Sequence, residues 1–422
     1  MPAAVRRLPP LPLYRGLCFS DGVFTSTIGT LMAVYFIKVA LLEPFQLVIL
    51  GTIFEVTIFL CEVPTGVVAD VISRRLSVVL GYLTIGVAFL ITGFFPVFWI
   101  LAIGACVWGL GETFISGARE AWIADELIAD GSKIPAEKAF VSGSQFQLFG
   151  RILGTWFSVA VALHGLSTPI IVGALGQIAI GILFAMIAPE HGFQRKNEKH
   201  SLGAVLDTFK AGIKIVRSKV ALVTIVLTTF FIGFSSEAFD RLWQNHLLDL
   251  KLPQVFGREE IWWAVLNSGA MLGSVILLQF IRRKENLAST MRLVGTVLTL
   301  IVIVAVGMTA FGLAPNAWWA IGCFFIVRTV RRAIDPLLTT WLNRRAESNV
   351  RATLLSFSGQ AHSLGEILSG PVLGTIAQTF TLRASLVTSS FLLAPVLPLI
   401  VSRLRHVRAE EARDAAPATA DG

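Results

Sequence analysis

The chain has 422 residues, of which 55% are hydrophobic and only 15% are charged, and its mean hydropathy is +0.73. Soluble globular domains carry about a quarter charged residues, so this composition excludes that class and predicts an integral membrane protein. The formal net charge of +8 would indicate an anionic partner in a soluble protein, but in a membrane protein its meaning depends on which loops hold the basic residues. The four cysteines lie in apolar segments without C-x-x-C spacing and predict neither a redox site nor a metal site.

Apolar runs of membrane-spanning length recur along the whole chain. A bilayer core about 30 Å thick requires about 20 apolar residues per helix, and the sequence contains twelve such runs. The predicted helices 1 to 12 cover residues 17–39, 45–69, 76–95, 98–122, 140–162, 169–188, 220–243, 260–281, 290–311, 317–341, 353–377 and 382–402. No A-x-A cleavage site follows the basic start, so we expect helix 1 to stay uncleaved. The predicted fold class is an all-α membrane protein with twelve transmembrane helices.

The basic residues are distributed unequally between the two sets of loops. The set that includes both termini holds 25 Lys and Arg residues, whereas the opposite set holds five. Cytoplasmic loops retain Lys and Arg, so this asymmetry places both termini in the cytoplasm. We therefore expect a multi-pass protein of the cell (inner) membrane.

One long connection divides the chain into halves. The predicted domains are an N-terminal six-helix bundle at 1–188, a cytoplasmic linker at 189–219, a C-terminal six-helix bundle at 220–402 and a cytoplasmic tail at 403–422. Between Leu202 and Val216 apolar residues recur at spacings of 3, 4, 4 and 3, which predicts a basic amphipathic helix in the membrane interface. A tether to the membrane surface and a regulatory partner site are both compatible with this helix.

A faint internal repeat relates the two halves at an offset of 215 residues. It aligns Phe19 with Phe234 and Gly150 with Gly365, among other matches in helices 1, 4 and 5 and their counterparts 7, 10 and 11. Several matches at one offset predict two pseudo-symmetric bundles in parallel orientation.

Charged residues inside the predicted helices are the main candidates for function. Each costs about 2.5 to 3.5 kcal/mol at a helix centre, so such a residue is either functional or part of an ion pair that locks two helices. Glu112 of helix 4 and Arg151 of helix 5 share a depth, and Arg328 of helix 10 and Glu366 of helix 11 share another. We expect these two pairs, with their signs exchanged between halves, to flank a central cavity. One carboxylate would there exchange its partner for a proton or a substrate cation.

Further polar residues extend these positions along the same helix faces. Gln147 precedes Arg151 by one turn, and His362 precedes Glu366 by one turn, where it is either a proton relay or a structural core histidine. The candidate residues for substrate and proton coupling are Asp21, Glu55, Glu112, Gln147, Arg151, Glu237, Arg328, His362 and Glu366.

The end of helix 7 carries a separate charged triplet in the segment SSEAFDRLW. Glu237, Asp240 and Arg241 lie near its predicted outer end. They either form a periplasmic gate or neutralise one another through i,i+3 and i,i+4 pairs.

No motif of an enzyme or of a nucleotide-driven pump is present. The sequence lacks G-x-x-x-x-G-K-[ST], H-E-x-x-H and any metal-like cluster. We therefore predict no enzymatic activity, no cofactor and no metal, and an ion gradient or the solute's own gradient as the energy source.

The stretch EVPTGVVADVISRR at residues 62–75 joins helices 2 and 3 through a short turn. Its Gly66, Asp70, Arg74 and Arg75 keep the order and spacing of a signature found at this place in the major facilitator superfamily. With twelve helices, two halves and a long basic central loop, the chain as a whole resembles that superfamily.

The resemblance implies that this stretch is a conformational latch. In the family the aspartate caps a helix of the other half when the cytoplasmic side is closed, and a basic residue pairs with an acid at the end of helix 4. Carried over, Asp70 would face residues 349–353 at the start of helix 11, and Arg74 or Arg75 would meet Asp125. The implied latch residues are Glu62, Gly66, Asp70, Arg74, Arg75 and Asp125.

Two positions of the signature depart from the family pattern. Ser73 stands where the family usually has glycine, and Val71 stands where a basic residue is common.

Within the superfamily, the segments EVPTGVVAD and SGAREAWIADE most resemble bacterial drug and proton antiporters, including tetracycline-type efflux proteins. This implies a monomeric secondary active transporter that works by alternating access and exports amphipathic or cationic organic compounds (multidrug efflux) in exchange for protons. Its partners would be a small-molecule substrate, protons and the lipid bilayer, with no nucleic acid. The alternatives are a uniporter or symporter that imports a small metabolite, and a membrane receptor or scaffold that transports nothing.

Overall fold

The structure is a computed structural model that describes residues 9–194, 213–214, 216–217, 219–255, 257–284, 289–345 and 351–404. Within these ranges the chain is helical, apart from turns and one isolated antiparallel bridge between Val255 and Arg258. The all-α prediction is confirmed. The amphipathic helix predicted in the linker lies almost entirely outside the described residues.

The described part of the first half contains eight α-helices, because predicted helices 1 and 4 are each interrupted. The helices are α1 (Pro10–Gly29), α2 (Met32–Lys38), α3 (Pro44–Val71), α4 (Arg74–Phe94), α5 (Phe98–Ile115), α6 (Ala118–Ala129), α7 (Ala136–Val161) and α8 (Thr168–Ile187). A short 3-10 turn at Ala162–His164 follows α7.

Six helices of the second half correspond one to one with predicted helices 7 to 12, and the described residues 396–404 beyond the sixth are also helical. The six are α9 (Val220–Asp249), α10 (Glu260–Lys284), α11 (Thr290–Gly312), α12 (Ala317–Arg345), α13 (Arg351–Thr379) and α14 (Leu382–Phe391). Helix α9 runs six residues beyond the predicted end at 243, so the charged triplet around Asp240 lies inside the helix and not at its end.

Ten helical stretches of the described chain are long and apolar enough to cross a membrane, with α1 and α2 counted as one stretch and α5 and α6 as another. Helices α12 and α13 are not among the ten, although each has 29 residues. They carry Arg328, Arg331, His362 and Glu366 in their middle turns, and such residues oppose insertion into lipid. The predicted coupling residues Arg328, His362 and Glu366 thus lie on these two helices.

A glycine in the left-handed region interrupts predicted helix 4. Gly117 has φ of 72°, a conformation that glycine adopts without the strain of a Cβ atom. It separates α5 from α6, whose first turn begins with Ala118, Arg119 and Glu120. The break therefore places Arg119 at the start of a new helix.

The chain divides into two compact units. Unit 1 comprises Met1–His200 and Leu252–Ser268, and unit 2 comprises Ser201–Lys251 and Gly269–Gly422. The first change of unit falls within the predicted linker. The segment from Leu252 to Ser268, expected in the C-terminal bundle, groups with unit 1, where Glu259 forms an ion pair with Lys38.

Glycines allow the first and fifth membrane helices of each half to approach closely. In unit 1, a Cβ atom added to Gly150 of α7 would overlap the backbone of Phe19 in α1. In unit 2, a Cβ atom added to Gly365 of α13 would overlap the backbone of Phe230 and Phe234 in α9. Gly150 and Gly365 are repeat counterparts, so the same packing device recurs at the predicted offset.

We predict that Gly150→Ala destabilises the protein, because the new methyl group forces α1 and α7 apart. The expected loss is about 1 to 3 kcal/mol of unfolding free energy, measured as a lower melting temperature in detergent. Gly16→Ala in α1 is the control, since a Cβ atom there meets nothing within 4 Å. Equal melting temperatures for the two variants would contradict the packing argument.

Candidate functional site

A buried carboxylate in α1 organises a polar network in unit 1. Asp21, which is 9% exposed, accepts hydrogen bonds from Arg119 Nη1 at 3.1 Å, Gln147 Nε2 at 2.7 Å and Thr25 Oγ1 at 3.2 Å. We call these four residues the Asp21 network. They come from α1, α6 and α7, so the network joins three helices. A carboxylate with several donors, one of them a guanidinium, is satisfied inside a membrane protein.

Arg119 was not among the predicted site residues. Its guanidinium contacts Asp21 and also Glu120 Oε1 at 3.0 Å. It is the only basic residue in predicted helix 4, which is the sequence signal that identifies it. Its reach to α1 depends on the break at Gly117, which the sequence did not reveal.

Glu112 of α5 lies beside an aromatic cluster. Its carboxylate accepts a hydrogen bond from Trp108 Nε1 at 3.0 Å. The Trp108 ring packs against Phe54 and Phe89, with ring centroids 4.0 and 5.0 Å apart. Among the described residues Glu112 forms no ion pair, so it is a half-buried carboxylate on an aromatic surface.

The predicted pair of Glu112 with Arg151 is not formed in the described structure. Helix α7 packs along α1, whereas α5 packs against α3 and α4, and Arg151 acts on Glu112 electrostatically without coming within ion-pair distance. Arg151 is half-buried, and its Nε atom makes no hydrogen bond with a described residue.

Unit 2 contains a second carboxylate centre. Asp240 of α9 accepts from Arg328 Nη1 at 2.7 Å and from both terminal nitrogens of Arg331 at 3.1 and 2.8 Å. We call Asp240, Arg328 and Arg331 the Asp240 cluster. Aromatic rings surround it: the Arg328 guanidinium lies 6.0 Å from the ring centroid of Trp243, and that of Arg331 lies 5.8 Å from Phe239. Bidentate and cation–π contacts hold both arginines inside the unit.

The predicted pair of Arg328 with Glu366 is therefore wrong: Arg328 pairs with Asp240. Glu366 of α13 is buried and accepts from Ser236 Oγ at 2.9 Å, and it lies 3.4 Å from His362 Nε2 one turn earlier in the same helix. In the sequence Asp240 lies near the predicted end of helix 7, and for this reason it was not predicted as the partner of Arg328.

Glu237 forms one of the i,i+4 pairs that the sequence suggested for Glu237, Asp240 and Arg241. It is fully buried in α9 and accepts from Arg241 Nε at 3.1 Å in an i,i+4 pair. Glu237 and Arg241 thus neutralise each other, whereas Asp240 pairs with the arginines of α12.

The two networks occupy equivalent positions of the internal repeat. Adding 215 to Asp21, Thr25, Gln147 and Arg151 gives Ser236, Asp240, His362 and Glu366. At these positions the first and fifth membrane helices are joined by the bond of Gln147 to Asp21 in unit 1 and by that of Ser236 to Glu366 in unit 2. The acid of this contact is Asp21 on the first helix in unit 1 and Glu366 on the fifth helix in unit 2, where Asp240 is a further acid on the first helix.

A cavity of about 200 Å³ opens beside the Asp240 cluster. Its polar lining comes from Arg328, Arg331, Arg332, Asp335 and His362, and its apolar lining includes Ile301 and Leu393. Protonatable and cationic groups therefore meet at one small internal space.

The predicted latch stretch lies at one end of unit 1. Arg74 at the start of α4 contacts Asp125 of α6 at 3.1 Å and Asp70 of α3 at 3.8 Å. Of the two arginines that the family pattern allowed, Arg74 meets Asp125. Residues 349–350, within the segment expected to face Asp70, lie outside the described residues.

Ser73, one of the two departures from the family pattern, has a clear local role. Ser73 caps α4 by accepting from Leu76 N at 2.9 Å, and its hydroxyl donates to Glu190 at 2.7 Å. Glu190 also accepts from Arg75 N at 2.9 Å, and the Arg75 guanidinium donates to the carbonyl of Ala185. The start of α4 is thus fastened to the segment that follows α8.

The remaining predicted site residues lie on α3. Glu55 and Glu62 are half-buried and two turns apart, and both make interactions within the protein. Gly66 lies one turn beyond Glu62, and a Cβ atom there would meet nothing within 4 Å. No described neighbour therefore requires glycine at this position.

The described residues contain no group of three or more His, Cys, Asp or Glu side chains that is able to hold a metal ion. The site geometry is instead that of carboxylates balanced by arginines, a histidine and neutral donors. Such groups exchange protons and bind ionic parts of small molecules.

Comparison with known proteins places this arrangement in a family. A sequence model of the Major Facilitator Superfamily matches residues 17–370. The chain is 24% identical over 369 residues to the uncharacterized MFS-type transporter YxaM of Bacillus subtilis (strain 168), an alignment that covers 83% of this chain and 86% of YxaM.

Solved structures share the fold at low sequence identity. The nucleoside transporter NupG superposes with a TM-score of 0.75 at 12% identity, covering 94% of this chain and 100% of NupG. A bacterial homolog of the human lysosomal transporter Spinster gives 0.73 at 15%, covering 94% and 96%. The peptide transporter POT gives 0.70 at 12%, covering 93% and 94%.

The structural likeness shows the fold alone, whereas the family match extends from the first membrane helix into the eleventh. It includes both carboxylate centres and the latch stretch. The protein is a multi-pass membrane protein and belongs to the Major Facilitator Superfamily of transporters, whose substrates are small molecules.

Proposed function

We propose that this transporter exports amphipathic organic cations in exchange for protons. It would act as a monomer in the cell membrane. Both termini would lie in the cytoplasm, as the asymmetry of basic residues predicts. The proposal depends most on one observation, which is the environment of Glu112.

Glu112 offers a negative charge next to flat apolar surfaces. Its carboxylate accepts a hydrogen bond from Trp108 and forms no ion pair with a described residue, and the Trp108 ring packs against Phe54 with the ring centroids 4.0 Å apart. An organic cation with an apolar body satisfies both parts, because the carboxylate attracts its charge and the rings contact its hydrocarbon portion. This carboxylate would repel an anionic solute and would offer a neutral solute a hydrogen bond but no charge pairing.

The His362 and Glu366 pair is the proposed proton carrier. Both groups are titratable, they lie 3.4 Å apart, and Glu366 also accepts from Ser236. Protonation of Glu366 would remove its charge and weaken its hold on His362. A proton taken up from one side and released to the other would thereby change contacts between α13 and α9.

Arg74 is the proposed centre of the latch. It bridges Asp70 and Asp125, which are contributed by α3 and α6, from its own position on α4. Ion pairs of this kind form in one conformation and break in another, so they set the relative stability of the two states.

A second candidate function is the import of a small anionic metabolite. It is favoured by the cavity in unit 2, where Arg328, Arg331 and Arg332 contribute to the lining. Arginine is suited to carboxylate and phosphate groups. In this case the Asp240 cluster, and not Glu112, would recognise the solute.

We predict that Glu112→Gln raises the KM for a fluorescent organic cation by about tenfold or more, since a partly buried charge pair with the substrate is lost. The measurement is dye uptake into energised everted vesicles. Glu137→Gln is the control, because Glu137 is an exposed acid in the first turn of α7.

The same vesicles separate the candidate functions. Antiport predicts that addition of the cation releases protons from the acidified lumen, whereas import predicts no such release. Uptake of an organic anion that is unchanged in Glu112→Gln but abolished in Arg331→Gln would favour the anionic metabolite. A protein for which every variant is silent in every flux assay would be a receptor or scaffold.

We predict that Glu366→Gln uncouples transport from protons. The variant keeps a hydrogen-bonding side chain but has no titratable carboxylate, so cation-induced proton release is lost while exchange of labelled for unlabelled substrate continues. His362→Asn should have a weaker effect in the same direction. His164→Asn, an exposed histidine after α7, is the control. Normal proton release in Glu366→Gln would eliminate this carboxylate as the carrier.

We predict that Asp70→Asn slows transport while substrate binding stays measurable, because the latch controls conformational cycling and not recognition. Binding is measured by dye fluorescence on purified protein, and cycling by flux in proteoliposomes. Loss of binding with normal cycling would overturn the latch assignment. Asp130→Asn, at the C-cap of α6, is a matched control outside the latch.

A further inference from the structure

A second concave surface lies away from both carboxylate centres, between α10 and α11 of unit 2. It is a groove of about 420 Å³. Leu277, Phe280 and Ile281 of α10 form one wall, and Arg292, Gly295 and Thr299 of α11 belong to the other. None of these residues contributes to the Asp21 network, the Asp240 cluster or the latch.

The groove begins at a membrane boundary and runs into the apolar region. Arg292 is the third residue of α11, and the groove continues along that helix to Leu300, a rise of about 12 Å. Both flanking helices have the length and hydropathy of membrane spans. One end of the groove is therefore cationic and the rest lies at hydrocarbon depth.

The threonine hydroxyls of the groove are already hydrogen-bonded within α11. The hydroxyl of Thr296 donates to the carbonyl of Arg292 at 2.9 Å, and that of Thr299 donates to the carbonyl of Gly295 at 2.9 Å. Gly295 leaves the floor open, since a Cβ atom there would meet nothing within 4 Å. A hydrocarbon chain fits such walls, whereas a polar solute would lose water without gaining hydrogen bonds.

The open end carries positive charge. Arg292 is exposed and forms no ion pair with a described residue. Arg282 and Arg283, at the last turn of α10, are also exposed and belong to the same end of the helix pair. A guanidinium at this level is placed to bind a phosphate ester.

We infer that this groove is a binding site for an anionic glycerophospholipid. One acyl chain lies along the groove over Gly295, and the phosphate contacts the guanidinium of Arg292. The net negative headgroup is selected by the three arginines at this end.

Native mass spectrometry of the purified full-length protein tests the site, with phosphatidylglycerol and phosphatidylcholine of identical acyl chains offered together. The wild type should retain phosphatidylglycerol preferentially. Arg292→Gln should weaken its binding about fivefold, and Arg292→Lys should largely restore it. Arg383→Gln is the control, since Arg383 is an exposed first-turn arginine of α14 at the opposite end of its unit.

A second variant tests the groove itself. Gly295→Leu fills the open floor without meeting a protein neighbour, so it should abolish phosphatidylglycerol retention and the rise in melting temperature that this lipid gives. Gly322→Leu in α12 is the matched control, because its surroundings are equally open. Wild-type retention by Gly295→Leu, or equal retention of phosphatidylcholine by the wild type, would overturn the inference. Melting curves of each variant establish that it is folded.

Discussion

A charge inside a membrane protein must find a partner within the protein, and this constraint shapes both halves of the molecule. Asp21 and Asp240 are each held by at least one guanidinium from another helix, at 3.1 and 2.7 Å for the first contacts. These contacts supply counter-charges to the two aspartates and join α1 to α6 and α9 to α12. The glycine contacts at Gly150 and Gly365 then set how closely the first and fifth helices approach.

The two halves of the internal repeat carry polar residues at the same positions, but the residue types at these positions differ. Four positions on the first and fifth helices are polar in both halves, but the acid that joins these helices is Asp21 in unit 1 and Glu366 in unit 2, and His362 is the counterpart of Gln147. His362 and Glu366 are both titratable, whereas in the Asp21 and Gln147 contact only the aspartate is. This difference is the physical reason for assigning proton coupling to unit 2 and for seeking substrate recognition near Glu112 in unit 1.

The latch stretch illustrates how a family signature tolerates substitution. Ser73 replaces the usual glycine and caps α4, and its hydroxyl also bonds Glu190 beyond α8. The serine therefore contributes a contact that glycine has no side chain to make. Arg74 remains available for Asp70 and Asp125, so the ion pairs associated with conformational control persist alongside a local change in capping.

The sequence by itself determined the all-helical membrane fold, the helical stretches and the charged residues worth considering, because hydropathy and the high cost of buried charge are properties of local composition. It also identified Arg74 and Arg75 as candidates for Asp125. Only the tertiary structure decided the partners: Arg119 for Asp21, Asp240 for Arg328, and Ser236 with His362 for Glu366. The sequence predicts how deep a residue lies along its helix. Which face each helix turns to which neighbour depends on packing. Arg328 therefore pairs with Asp240 instead of Glu366, and Glu112 accepts a hydrogen bond from Trp108 instead of forming the predicted ion pair with Arg151.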